Sequence, residues 1–259
     1  MKICLIGYGK MGHRIEAVAK KNGHEIVATL DTVAPDATIK IEAHNPRSLS
    51  DALSKMQIDG AIEFSHPSSA IENMKAILPL GIPLVVGTTG WYDALSEITS
   101  FTKNCNGVLL YSANFSIGVN MFFKIVSEAT KLFEKFPEYD SAIWEMHHNQ
   151  KADSPSGTAL ALAKKMLANT SAKKSIEENA FHEKPRADVL HVSSTRCGKT
   201  PGTHTVFFDS EADTIELTHR ARSSEGFAKG AVFALEKLIA GIQSGKFSRG
   251  NVYTTDDIF

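Results

Sequence analysis

Short apolar runs alternate with amphipathic stretches through the first half of the chain. The runs at residues 2–6, 25–30, 60–64, 83–86 and 107–111 have the length of strands, while the stretches at 13–20, 68–78 and 92–103 space their apolar residues as helices do. Buried strands separated by helices predict a parallel sheet covered on both faces. Beyond Asn114 the pattern changes. A helical run over 118–136 is followed by strand-like segments at 141–146, 189–194, 203–208 and 214–218, with a helix at 159–167 and a Lys- and Glu-rich, solvated excursion over 168–186. Strands arriving nearly in succession predict a separate, smaller α+β domain with a mixed or antiparallel sheet. The last helical run, 227–244, carries an apolar stripe through Phe227, Ala231, Leu235, Leu238 and Ile239, which fits a return to the first domain. Residues 1–117 with 228–259 therefore form one expected domain, and 118–227 an insertion into it.

The first strand runs into Gly7-Tyr8-Gly9-Lys10-Met11-Gly12 and then into a helix. Between a strand and a helix this glycine spacing is a dinucleotide-binding pattern. Its first glycine makes the tight turn, its second admits a pyrophosphate against the backbone, and its third lets the helix pack on the strand. The second strand ends at Asp31, about twenty residues further on, where a carboxylate accepts hydrogen bonds from the adenosine ribose hydroxyls. Both halves together predict a Rossmann-type α/β domain. Asp31 repels a 2′-phosphate and is followed by Thr32 in place of an arginine, so NADH is favoured over NADPH, although Lys10 offers a cation that could hold the phosphate.

Ligands of such sheets gather at the carboxyl ends of the strands, which here carry Phe64-Ser65-His66-Pro67, Gly87-Thr88-Thr89-Gly90 and Ser112-Ala113-Asn114-Phe115. Thr88 and Thr89 are candidates to hydrogen-bond the nicotinamide ribose or carboxamide, and Phe64 or Phe115 to pack on a ring face. Turn chemistry alone accounts for Gly87, Gly90 and Pro67 singly, but less readily for three such loops together.

A second concentration of chemistry is Glu145-Met146-His147-His148-Asn149-Gln150-Lys151-Ala152-Asp153-Ser154-Pro155-Ser156-Gly157-Thr158. His147, His148 and Lys151 can donate protons or orient a substrate. Ser156, Gly157 and Thr158 open the helix at 159–167, whose first backbone N–H groups lack intrahelical partners and attract an anion. Donors beside an anion site point to a small acidic substrate; an ordinary turn with solvated histidines is the rival account. Arg196, Gly198, Gly202 and His204 fall in a glycine-rich turn from which a guanidinium and an imidazole could reach a carboxylate. A hairpin loop with surface charge explains that turn equally well, and Arg196 is not counted as catalytic.

Composition narrows the partners. Over 259 residues a formal net charge of −1 offers no basic surplus for nucleic acid, and no apolar run approaches a membrane span. Three cysteines, Cys4, Cys105 and Cys197, make an odd count without a C-x-x-C pair, which fits a reducing compartment. The apolar start is too short for a signal peptide, so the cytoplasm is expected. No cluster has zinc spacing, and the adjacent His147 and His148 would point to opposite faces of a strand, so no metal is expected. Strands such as Val206-Phe207-Phe208 call for a covered face, which a subunit boundary would supply.

The glycine motif is accompanied by Val86-Gly87-Thr88-Thr89-Gly90, by Ser112-Ala113-Asn114-Phe115-Ser116-Ile117-Gly118-Val119-Asn120, by the block 147–158 and by 219–230. In this order they make the chain resemble, over nearly its whole length, the 4-hydroxy-tetrahydrodipicolinate reductase (dihydrodipicolinate reductase) family. The resemblance implies a nicotinamide-dependent oxidoreductase of lysine and diaminopimelate synthesis that reduces 4-hydroxy-tetrahydrodipicolinate to tetrahydrodipicolinate. It implies His147 as proton donor or acceptor, Lys151 as proton donor, and His148 with Gly157 and Thr158 as the holders of a small dicarboxylate substrate. It assigns the cofactor to Gly7, Tyr8, Gly9, Lys10, Met11, Gly12, Asp31, Gly87, Thr88, Thr89, Ser112, Ala113, Asn114 and Phe115, and it implies a homotetramer built through the sheet of the second domain. His147 and His148 are expected to keep the pocket cationic. Two departures stand out: the family's basic pair before the lysine is Asn149-Gln150 here, and an arginine common in the family is Ser224.

Two rivals remain at the level of sequence. One is another dinucleotide-fold dehydrogenase of an amino-acid pathway, either an amino-acid dehydrogenase or a semialdehyde dehydrogenase; the latter would need a reactive thiol, and none of the cysteines lies beside a histidine motif. A nicotinamide-binding sensor without turnover would have no use for a proton donor in its site.

Overall fold

The strand β1 (Lys2–Ile6) is buried from Ile3 onward, and its side chains go alternately to two cores: Ile3 and Leu5 to one, Cys4 and Ile6 to the other. After it come α1 (Lys10–Lys21), β2 (Glu25–Asp31), β3 (Ile39–Lys40), α2 (Pro46–Leu53), β4 (Gly60–Glu63), α3 (Pro67–Ile77), β5 (Leu84–Val86), α4 (Leu95–Asn104) and β6 (Val108–Tyr111). Helix α5 (Ile117–Phe133) leads to β7 (Asp140–His147), α6 (Gly157–Leu167), β8 (Ser175–Glu177), β9 (Val189–Arg196), β10 (Thr203–Asp209) and β11 (Thr214–Arg220). The chain ends with α7 (Glu225–Gln243), β12 (Asn251–Thr254) and α8 (Thr255–Ile258). This computed structural model describes every residue except 43 and 44.

The elements divide into two units, 1–117 with 225–259 and 118–224. The second boundary coincides with the start of α7, where the Glu225 carboxylate lies in the first turn and pairs with Lys229 one turn on, at 2.9 Å.

In the first unit seven parallel strands lie in the order β12-β6-β5-β4-β1-β2-β3. One core joins the sheet to α1 and α7 through Ile15, Val18, Ala231, Leu235 and Leu238; the other joins it to α2, α3 and α4 through Leu49, Met74 and Ile98. Both faces are covered, which is why the strands read as unbroken apolar runs. This is the Rossmann-type parallel sheet the pattern predicts.

The second unit holds a five-stranded mixed sheet in the order β11-β10-β7-β9-β8. β10 is antiparallel to both neighbours, while β7, β9 and β8 run parallel. α5 contributes Val119, Phe122, Phe123 and Val126, and α6 contributes Ala159, Leu162, Ala163 and Met166, to a core that also takes Ile143, Val192 and Val206 from the strands. Those helix positions recur at three- and four-residue steps, so each helix offers one apolar face. Among the described residues no helix is long and apolar enough to cross a membrane.

Candidate active site

In the first unit the strand ends are knit at one level by backbone bonds. The N–H of Gly7 donates to Leu30 (2.8 Å), Phe64 to Ile6 (2.8 Å), Gly87 to Glu63 (2.9 Å) and Ser112 to Val86 (3.2 Å). Each loop thus starts beside the carboxyl end of a neighbouring strand, and the loops share that end of the sheet. β1 has β2 on one side and β4 on the other, so chain order reverses there, at the place where ligands of open α/β sheets bind.

Gly7 has φ +87°, and a Cβ there would stand 2.1 Å from the Phe64 carbonyl oxygen, so only glycine makes this turn. A Cβ at Gly12 would lie 2.5 Å from the Gly7 oxygen, which keeps α1 close to the turn. Gly9 differs: a Cβ there would meet nothing within 4 Å, and among the described residues no side chain caps the N-terminus of α1. The motif leaves open the space beside unpaired helical N–H groups that a pyrophosphate needs, so these residues fit a dinucleotide. A cavity of about 450 Å³, lined by Gly7, Gly9, Asp31, Phe64 and Ser65 among others, continues from it.

Asp31 ends β2, and its carboxylate accepts from the backbone N–H groups of Tyr8 (2.7 Å), Val33 (2.8 Å) and Ala34 (2.9 Å). Burial would raise its pKa, but these N–H groups outweigh burial and hold it below the usual carboxylate range. A carboxylate has roughly four acceptor sites, so one is left for a ribose hydroxyl. Lys10, His13 and Arg14 line a neighbouring cavity with Asp31 and Asp36. Tyr8 stacks on His13 at 4.1 Å between ring centroids, and His13 Nε2 reaches Asp36 at 2.7 Å.

The other expected cofactor loops divide into exposed and braced positions. Thr89 and Ala113 are exposed. Thr88 is buried, and its Oγ1 accepts the Ser65 N–H at 2.8 Å, so this hydroxyl ties two loops together. Ser112 Oγ accepts the Asn114 N–H at 3.1 Å and meets Thr255 Oγ1 at 3.2 Å. Phe115 lies in the core and offers no free ring face, whereas the half-buried Phe64 covers Gly87.

In the second unit β7 alternates, so that Ile143, Glu145 and His147 all turn inward. Glu145 has no exposed surface, yet it is a carboxylate with three partners. Oε1 takes the Arg196 Nη2 (2.8 Å) and the Ser156 N–H (3.3 Å), and Oε2 takes His147 Nδ1. Burial alone would raise its pKa, but Arg196 and His147 outweigh burial and hold it low. The imidazole is thereby oriented: Nδ1 carries the proton toward Glu145, and Nε2 faces Gly202, where a Cβ would come within 2.8 Å. Burial also pushes the His147 pKa down, opposed by Glu145 and aided by the charges of Lys151 and Arg196. Burial thus favours the neutral imidazole, against the pull of the Glu145 carboxylate. The local positive charge comes from Lys151 and Arg196.

Arg196 also donates to the backbone oxygens of Lys151 (3.3 Å), Thr195 (2.9 Å) and Asp153, so its guanidinium staples the 151–153 loop to β9. Lys151 Nζ stands 2.7 Å from Asp153 Oδ1, and the Lys151 N–H closes a turn onto the carbonyl of the half-buried His148 (3.2 Å). Ser156 is the N-cap of α6, its Oγ accepting the Ala159 N–H at 3.2 Å and meeting His204 Nε2 at 3.2 Å. Gly157 and Thr158 are the first two residues of that helix.

His147, at the end of β7, is followed by His148 and Lys151 on the loop and by Gly157 and Thr158 on α6, and the structure joins to them Glu145, Ser156, Arg196 and His204, to which the sequence reading gave no catalytic or substrate-binding role. Donor atoms of Glu145, His147 and His204 lie within 4.8 Å of one another, a spacing that could suit a divalent cation. Both Glu145 oxygens already serve protein donors, however, and the guanidinium supplies the neutralising charge, so the arrangement is an ion-pair network and not a metal cradle.

Family models match both parts of the chain: "Dihydrodipicolinate reductase, N-terminus" over residues 1–115 and "Dihydrodipicolinate reductase, C-terminus" over 118–259. A 4-hydroxy-tetrahydrodipicolinate reductase of Christiangramia forsetii is 39% identical over 238 residues, 92% of either chain. The Staphylococcus aureus enzyme of the same name is 35% identical over 92% of this chain and 95% of its own. Among solved structures, a dipicolinate-bound dihydrodipicolinate reductase from Paenisporosarcina sp. TG-14 shares the fold with a TM-score of 0.74 at 23% identity, covering 98% of this chain and 97% of that one. Neither the sensor without turnover nor the thiol-dependent dehydrogenase finds support among these relatives. Two family models that together span the chain, and relatives similar along nearly all of it, place the protein in the dihydrodipicolinate reductase family.

Proposed function

We propose that the protein reduces 4-hydroxy-tetrahydrodipicolinate to tetrahydrodipicolinate with a nicotinamide dinucleotide, in the lysine and diaminopimelate pathway of the cytoplasm. The observation that carries the site assignment is Lys151 on the same segment as the buried Glu145–His147 pair and the N-terminus of α6. The names of the curated relatives support the substrate, and the dipicolinate of the Paenisporosarcina neighbour supports a small cyclic dicarboxylate.

Gly7, Gly9, Gly12 and the N-terminus of α1 hold the pyrophosphate, and Asp31 holds the adenosine ribose. Loss of the 4-hydroxyl as water leaves C4 conjugated with the ring imine, and a bound reduced nicotinamide would supply the hydride that C4 accepts. Lys151 Nζ donates the proton that quenches the charge developing on the ring. His147 Nε2 accepts a proton or hydrogen bond from the substrate, and the imidazolium it becomes is stabilised by Glu145. His148, Gly157 and Thr158 bind a carboxylate. The negative charge of Asp31 favours NADH; Lys10 and Arg14, lining the cavity next to it, let NADPH serve as well. The second sheet assembles a homotetramer, supported by the half-buried Ala142, Trp144, Met146 and Phe207 on the face opposite Ile143 and Val206.

The test follows oxidation of NADH and of NADPH by absorbance with freshly generated substrate, using wild type and Lys151→Ala. The substitution should lower kcat by about 10²–10⁴-fold and leave cofactor affinity unchanged. Cofactor binding without substrate-dependent oxidation in the wild type would defeat the assignment.

A further inference from the structure

The proposed proton donor, Lys151, and the N-terminus of α6, where a substrate carboxylate is assigned, are both engaged by one carboxylate of the chain itself. Asp153 Oδ1 stands 2.7 Å from Lys151 Nζ, and the Asp153 carboxylate accepts the N–H of Gly157, the first residue of α6. Lys151, before any other cause, holds the Asp153 carboxyl below the usual range, so this is an anion at neutral pH. Its neighbours are otherwise satisfied from within: Ser156 Oγ takes the Ala159 N–H, and Arg196 takes the Glu145 carboxylate and the Asp153 main-chain oxygen.

We propose that Asp153 is a positioning residue that occupies the substrate's carboxylate site in the substrate-free protein, holding Lys151 in place until a substrate carboxylate displaces it. The inference rests on the functional reading above and deepens it.

The mechanics favour displacement. Arg196 and the turn from His148 fix the main chain of the 148–153 loop, while the Asp153 carboxylate is held by Lys151, the Gly157 N–H and its own N–H. Its side chain is 55% exposed, against 25% for Lys151, so a rotation about its own bonds carries the carboxylate into water without disturbing the loop. The incoming substrate carboxylate offers Lys151 and α6 the same charge and the same acceptor atoms, so the ammonium is never left without a counter-ion. A resident anion costs the substrate affinity, because each binding event must first break the internal pair. It also presents Lys151 Nζ where a carboxylate-anchored ring needs its proton donor, which limits the reorganisation left to binding.

A purely structural Asp153, one that only shapes the turn, predicts the opposite sign, since its loss would loosen the loop and weaken binding. The experiment is titration calorimetry of pyridine-2,6-dicarboxylate into the NADH-saturated full-length protein, for wild type, Asp153→Asn, Asp153→Ala, Lys151→Ala and the Lys151→Ala/Asp153→Ala double variant, with the KM for 4-hydroxy-tetrahydrodipicolinate measured in parallel. Both single Asp153 variants should bind the dicarboxylate about two- to fivefold more tightly, the range an exposed ion pair spans, with KM falling alongside. The gain should shrink when Lys151 is already absent. Wild-type binding with unchanged or weaker binding in both Asp153 variants would overturn the inference and leave the functional reading standing. A wild type that neither binds the dicarboxylate nor oxidises NADH with substrate would overturn the functional reading and this inference with it.

Discussion

His204 shows how burial and charge trade at a single residue. It is 4% exposed, meets Ser156 Oγ, and sits edge-on to the His147 ring at 5.2 Å between centroids. Burial, helped by the neighbouring His147, pushes its pKa down to about 4 from an ordinary 6.5. The folded state therefore resists protonation that the unfolded chain accepts. The stability this neutral imidazole contributes is whole above pH 6.5 and is lost as pH falls toward 4, on the order of 3 kcal/mol across that window. Thermal melts from pH 7 to pH 4 should show the loss in wild type and a flatter profile in His204→Gln; parallel profiles would remove His204 as the cause. His147 and Lys151 were legible because they stand within one short block of sequence. The partners of His147 were not, because Arg196 lies opposite His147 across β9 and His204 lies opposite Glu145 across β10. One signal was available: residues 143, 145 and 147 share a face of β7, so a buried Ile143 places Glu145 inward beside His147.

Helix α7 is held by how closely it lies against the loop after β6. A Cβ on Gly230 would stand 1.5 Å from the Phe115 carbonyl oxygen, a backbone atom with little room to yield. One turn earlier, a Cβ on Gly226 would meet only Ser116 Oγ at 3.4 Å. Gly230→Ala should therefore cost about 1–3 kcal/mol or more in urea unfolding, while Gly226→Ala should be neutral or stabilise through helix propensity. Equal midpoints for the two variants would show that α7 can shift away from Phe115. The long elements were readable because each repeats its apolar signal over several turns or pleats. The elements α2, β3, β8, β12 and α8 were not, since each is short and offers few apolar positions: α2 buries only Leu49 and Leu53, and β12 buries no residue fully. Such segments take their structure from the sheet edges and helices they join, which local pattern does not record.

At the scale of the whole molecule, the chain leaves its first unit after Ile117 and returns to it at Glu225, two residues before the apolar stripe of the last helix begins at Phe227. A prediction about assembly belongs here. If the outer face of the second sheet joins four copies, sedimentation velocity should give a particle near four times the 28.2 kDa chain, and Trp144→Glu, placed centrally on that face, should shift it toward smaller species. A wild type that sediments as a monomer would exclude the tetramer. The divided first unit bears also on how the protein is made. When residue 117 has left the ribosome, Ile3, Leu5, Ile62 and Val85 have strands to stand on, but the Ala231, Leu235 and Leu238 that cover them are not yet synthesised. The inserted unit, complete at residue 224, has all of its core in hand while its host still lacks one wall. The part of the nascent chain translated first is thus the part that finishes last, with one apolar face of its sheet open until translation is nearly done.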